Sequence, residues 1–107
     1  MSILPIGHLA FTKADINVLV EAGTHLVDDQ RAGSCVPVEI DNGEVVVAIL
    51  DQDDEYLLCA FGKDHGWYCA YDSEWSVIAR SQFIQDVIDV LPTVAENNDR
   101  RSAANAA

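Results

Sequence analysis

The chain has 107 residues, 18 of them acidic and six Lys or Arg, for a formal net charge of −12. A field of that sign repels phosphates, which excludes a surface built to hold nucleic acid or an anionic bilayer. Half the residues are hydrophobic, which excludes wholesale disorder and is enough for one domain with a modest core, without metals or disulfides.

At the start, MSILPIGHLAF has no basic residue ahead of its apolar stretch. No apolar run approaches the ~20 residues of a membrane span. Neither a secretory leader nor a spanning helix is expected, and the protein is assigned to the cytoplasm. Thr12 then reads as a helix N-cap, with Asp15 completing a capping box and Phe11 and Ile16 in the positions of a hydrophobic staple. Apolar residues at Ile16, Leu19, Val20, Leu26 and Val27, with Gly23 among them, mark one face of a helix from Lys13 to about Asp29, stopped by Gly33.

CVPVEIDNGEVVVAIL reads as a β-hairpin about Asn42-Gly43. A two-residue type I′ turn there sets Asp41 opposite Glu44, Ile40 opposite Val45, Val38 opposite Val47 and Val36 opposite Ile49. Alternation then gathers the six apolar side chains of that set on one face. Pro37 cannot donate to a ladder, which puts the first strand at an edge. YLLCAF and WYCAYD follow as strands joined by GKDHG. Pairing Phe61 with Trp67 sets Cys59 opposite Cys69, and groups both with Leu57, Phe61, Trp67 and Tyr71 on one face. WSVIA adds a fifth strand. Ser81 is expected to cap a helix ending at Pro92 (Ser73 is the alternative start), with Phe83, Ile84, Val87, Ile88 and Leu91 inward. Residues 97–107, with Arg100 and Arg101, lack a core pattern and read as a disordered tail beyond a single domain of residues 1–96. The expected fold is α+β: an N-terminal helix, an antiparallel meander of four or five strands, and a C-terminal helix on the sheet.

A meander places alternate turns at the same end of the sheet. DQDDE and DSE therefore share one pole, which gathers Asp51, Asp53, Asp54, Glu55, Asp72 and Glu74 with no Lys or Arg among them. Asp41 and Glu44 form a weaker group at the other end, offset by Lys63. Like charges ~7 Å apart in water repel by about 0.6 kcal/mol per pair, so the pole costs about 1–3 kcal/mol in all. A partner surface accounts for such a cost; so does a solvated turn in an acidic protein or in one from a high-salt organism. Tyr68 and Trp75 lie among these acids, and aromatics beside carboxylates suit Arg-rich protein surfaces. Trp67 and Tyr71 are expected in the core.

Other constellations fail on spacing. DQDDEYLLCAFG places acids at positions 1, 3 and 5 of a calcium loop but lacks the glycine at 6 and the glutamate at 12. Cys35, Cys59 and Cys69 are odd in number and without a C-x-x-C, and read as buried thiols. His65 falls at a loop tip, ~13–20 Å along the strands from Cys59 and Cys69, too far for a zinc site or a Cys–His pair. His8 and His25 have no acid or nucleophile at motif spacing. No phosphate-binding, zinc-protease or serine-hydrolase motif occurs. Neither metal nor cofactor nor catalytic residue is expected.

WSVIARSQFIQDVI, residues 75–88, resembles the closing strand and helix of SUKH-type bacterial immunity proteins, and implies no site residue here. In size, acidity and want of catalytic motifs the chain resembles the small inhibitors of phages and mobile elements, among them anti-restriction and anti-CRISPR proteins, some of which imitate nucleic acid. The resemblance implies a non-enzymatic inhibitor of a basic, nucleic-acid-handling protein; the acidic pole is the expected contact surface, with Asp51, Asp53, Asp54, Glu55, Tyr68, Asp72, Glu74 and Trp75 as the contact residues. The alternatives are an immunity protein that neutralises a toxin, and an oligomeric scaffold whose open sheet face pairs with a second copy.

Overall fold

A computed structural model describes residues 11–40 and 43–106. Helix α1 (Lys13–Asp28) leads into strands β1 (Ser34–Glu39), β2 (Val45–Leu50), β3 (Leu57–Asp64), β4 (Trp67–Tyr71) and β5 (Val77–Ser81), then short helix α2 (Ile84–Ile88) and helix α3 (Leu91–Ala106). The strands form one antiparallel sheet in chain order, with β1 at one edge and β5 at the other. This is the expected α+β meander, Pro37 on its edge strand included.

The start of α1 follows the sequence closely. Thr12 Oγ1 accepts from the Asp15 N–H, and Asp15 Oδ2 accepts from the Thr12 N–H, so two otherwise orphaned donors are satisfied. Leu19 and Leu26 enter a core shared with Val47, Ile49, Cys59 and Phe61 of the sheet and with Val87, Val94 and Ala95 of α2 and α3. Gly23 is where α1 approaches most closely, since a Cβ there would collide with Cys35 Sγ and lie 3.1 Å from Ile49 Cδ1.

Both hairpin registers differ from the expected ones, for a common reason. Ile40 donates to the Glu44 carbonyl and Gly43 donates back to the Ile40 carbonyl, so three residues, 41–43, separate the paired ends. Gly43 has φ +84°, the left-handed glycine that ends a three-residue loop. The register moves by one residue: Val38 faces Val46 and Cys35 faces Ile49. That step exchanges the faces of β1. Cys35 points towards α1, and Val36 and Val38 are left about 40% exposed. Asp41, expected opposite Glu44, lies outside the described residues. The type I′ turn occurs instead at His65-Gly66 (φ 50° and 85°). It carries β3 on to Asp64, pairs Asp64 with Trp67, and sets Gly62, not Cys59, opposite Cys69. Cys59 belongs to the helix-side core, and Cys69, Tyr71 and Trp67 lie on the opposite face with Val46, Ala48 and Ala60.

Register shifts at Ile49/Leu50 and Ala70/Tyr71 break the alternation once in each pair. Consecutive Leu58 and Cys59 consequently both join the helix-side core.

The C-terminal region departs most from expectation. Ser81 ends β5, its hydroxyl bonded to the Phe83 N–H and the Asp86 carboxylate, and α2 has Phe83 in the N-cap position. Ser73 lies in the β4–β5 turn, which removes it as a helix start. Phe83, expected inward, is 71% exposed. Pro92 opens α3 rather than closing a helix, since the first turn has no use for the missing N–H. Residues 97–106, expected as tail, continue α3. Two polar side chains hold it down. Buried Asn98 donates to the Arg31 carbonyl and to Gln52 Oε1, and Arg101 bonds Asp51 and Asn98.

Candidate functional site

The β2–β3 and β4–β5 turns meet at one end of the sheet. Tyr56 from the first donates its hydroxyl to Ser73 Oγ of the second at 2.9 Å. The six carboxylates of the two turns have different duties. Asp51 is buried: its Oδ1 accepts from the Glu55 and Tyr56 N–H groups, and its Oδ2 lies 3.0 Å from Arg101 Nη2. Burial raises the Asp51 pKa, but those two N–H groups and the guanidinium outweigh it, and the net shift is downwards. Asp72 Oδ1 accepts from the Glu74 and Ser76 N–H groups and so builds its own turn. Asp54 Oδ1 accepts from Ser34 Oγ. Among the described residues, no cation faces the carboxylates of Asp53, Glu55 and Glu74, which are exposed.

Arg101 corrects the expectation of a pole without bases. It reaches in from α3, pairs with Asp51 and stacks over the Tyr56 ring at 4.2 Å. Close by, Arg31 pairs with Asp99. The pole is therefore an acidic rim round one structural ion pair. The sequence held a signal for this: Leu91, Val94, Ala95, Asn98 and Arg101 continue a single helical spacing that turns polar where it reaches the acidic turns.

Trp75 is half exposed and packs against Tyr71 in a tilted pair, ring centroids 5.9 Å apart and planes at 51°. It has φ +64°, and Asp54 in the companion turn has φ +58°, conformations uncommon for residues other than glycine and most unusual for a bulky one. Tyr68 is not brought to this site. It lies on the helix side, stacked on Phe11, with Lys63 over its ring and its hydroxyl 2.9 Å from Asp15 Oδ1. Lys63 lies 3.6 Å from Asp15.

Between α3 and the rim runs a cleft of about 560 Å³. Its apolar lining is Leu58, Ile78, Val90 and Val94; Asp72 and Asp89 stand on its walls, with Tyr56, Asn97 and Arg101. No motif marked it, because it exists only once α3 is folded back onto the sheet.

Burial pushes the Cys35 thiol up to about 11 and, with like charge from Cys35 and Asp72, the Cys59 thiol up to about 12. Both are protonated at neutral pH and are poor nucleophiles. The exposed His65 has its Nδ1 2.7 Å from Asp64. Among the described residues, no three His, Cys, Asp or Glu side chains have metal-binding geometry, and no helix is long and apolar enough to cross a membrane. His8 lies outside the described residues. No family model matches the chain, and neither a curated protein nor a solved structure is detectably similar to it.

Proposed function

We propose that the protein is a non-enzymatic inhibitor that seats its acidic end on a basic, nucleic-acid-handling protein and blocks it. One observation carries the reading: the Tyr56–Ser73 bond joins the two acidic turns into one rim, on which Asp53, Glu55 and Glu74 face no cation. Exposed Trp75 on that rim supplies a large contact for guanidinium groups. An anionic rim of this kind steers basic surfaces towards it and repels nucleic acid itself. The test is capture of a basic protein by the immobilised chain, followed by elution with salt or duplex DNA. The expected result is release by both, since DNA and the acidic rim then compete for one surface. Retention in the presence of excess DNA contradicts the reading.

A second reading, an oligomeric scaffold, is favoured by the sheet face away from the helices. There Val36, Val38, Trp67, Trp75 and Val77 are all at least one-third exposed, and exposed apolar side chains on one sheet face suit an interface. A dimer that light scattering finds unchanged by salt supports the scaffold; a monomer removes it.

A further inference from the structure

We infer that the cleft between α3 and the sheet is a socket for one arginine side chain of the basic partner, and that this socket, more than the rim, holds the complex together. The inference rests on the proposed function and names the part of the surface that does the gripping. Its volume of about 560 Å³ lies within the roughly 300–1,000 Å³ of small-ligand sites and leaves ample room for one arginine side chain. The floor of Leu58, Ile78, Val90 and Val94 is aliphatic, which suits the three-methylene stem of an arginine. Asp72 and Asp89 also line the cleft. Each spends Oδ1 within the chain, Asp72 on the Glu74 and Ser76 N–H groups and Asp89 on Gln85 Nε2. No hydrogen bond among the described residues uses either Oδ2. The cleft's own cation, Arg101, has its charge offset by Asp51, while its buried Nε has no hydrogen-bond partner among the described residues. The net field in the cleft is therefore negative, so a carboxylate or phosphate ligand is disfavoured and a planar guanidinium is favoured over a point charge. An arginine seated in a desolvated pocket is a common form of interface hot spot.

The experiment titrates the full chain with a short acetylated peptide carrying one arginine, followed by amide-resolved NMR. Parallel titrations use the same peptide with citrulline, the neutral isostere, and L-arginine amide alone. Perturbations are expected at Leu58, Ile78, Val90 and Val94, with citrulline binding about tenfold weaker or worse. Asp72→Asn with Asp89→Asn keeps both Oδ1 acceptors and should weaken the arginine peptide about tenfold, as should Asn97→Trp, which fills the cleft without changing charge. Neutralising the rim with Asp53→Asn, Glu55→Gln and Glu74→Gln should weaken it less than about threefold. The reverse ranking, rim variants disabling and cleft variants harmless, overturns the socket while leaving the proposed function standing. Equal affinity for arginine amide and the peptide overturns its assignment to a protein side chain. No perturbation in the cleft at any peptide concentration overturns it altogether.

Discussion

At Asp51 a carboxylate that would otherwise add to the repulsion of the rim is turned inwards and held by two N–H groups and the Arg101 guanidinium. Its native pKa is lowered despite burial, so the unfolded state, near the ordinary ~3.9, binds the proton more readily. The stabilisation is therefore complete above the unfolded pKa and is lost as the pH falls through the native one. Asp51→Asn keeps the Oδ1 acceptor but opposes an amide to Arg101, and should cost about 1–3 kcal/mol at neutral pH. In urea titrations the gap between wild type and variant should narrow as the pH drops from about 6 to about 3; a constant gap contradicts the account. Trp75 presents the opposite case, a side chain whose backbone is strained and whose ring is half exposed. Relief of that strain should offset the lost packing against Tyr71, so Trp75→Gly should change stability by less than about 1 kcal/mol. Capture of a basic partner should nonetheless fall. Unaltered capture removes Trp75 from the interface.

Elements whose signals are local were legible in the sequence. The capping box fixes where α1 begins, the apolar spacing fixes its inward face, and five strand-like runs with turn residues between them fix the meander. Register was not legible, because Asn42-Gly43 and His65-Gly66 each admit a two- or a longer-residue loop, and one residue exchanges the faces of a strand. The meeting of the two acidic turns at one end of the sheet was legible from topology alone. Its Arg101 anchor and its cleft were not, because both depend on α3 folding back over more than forty residues of intervening chain, through Asn98 and Arg101, which look like tail composition. Deleting residues 97–107 tests this. A disordered tail would be lost without effect, whereas removing the Asn98 and Arg101 contacts should cost about 2–4 kcal/mol. That corresponds to a fall in Tm of about 10–20 °C in a calorimetric scan, and a Tm unchanged by the deletion contradicts the observed packing of α3.

Across the whole molecule the charge is unevenly spent. Lys63 is drawn to Asp15 on the helix side, Arg31 to Asp99, and Arg101 to Asp51, which leaves the rim carboxylates as the exposed remainder at one end. The opposite sheet face is apolar and edged by Trp67 under Arg80, so the molecule offers an electrostatic handle and an apolar plane in different places. The two proposed readings separate by salt: contact through the handle weakens steeply as ionic strength rises, and contact through the plane does not. The most direct test of the handle is a comparison of two charge reversals that change the net charge equally. One converts Asp53, Glu55 and Glu74 to Lys on the rim. The other converts the exposed Glu21, Glu39 and Asp64 to Lys elsewhere. Affinity for the captured basic protein, measured by calorimetry at low salt, should fall much further with the rim reversal than with the other; equal losses from both would mean that overall charge alone, and no particular end of the molecule, draws the partner in.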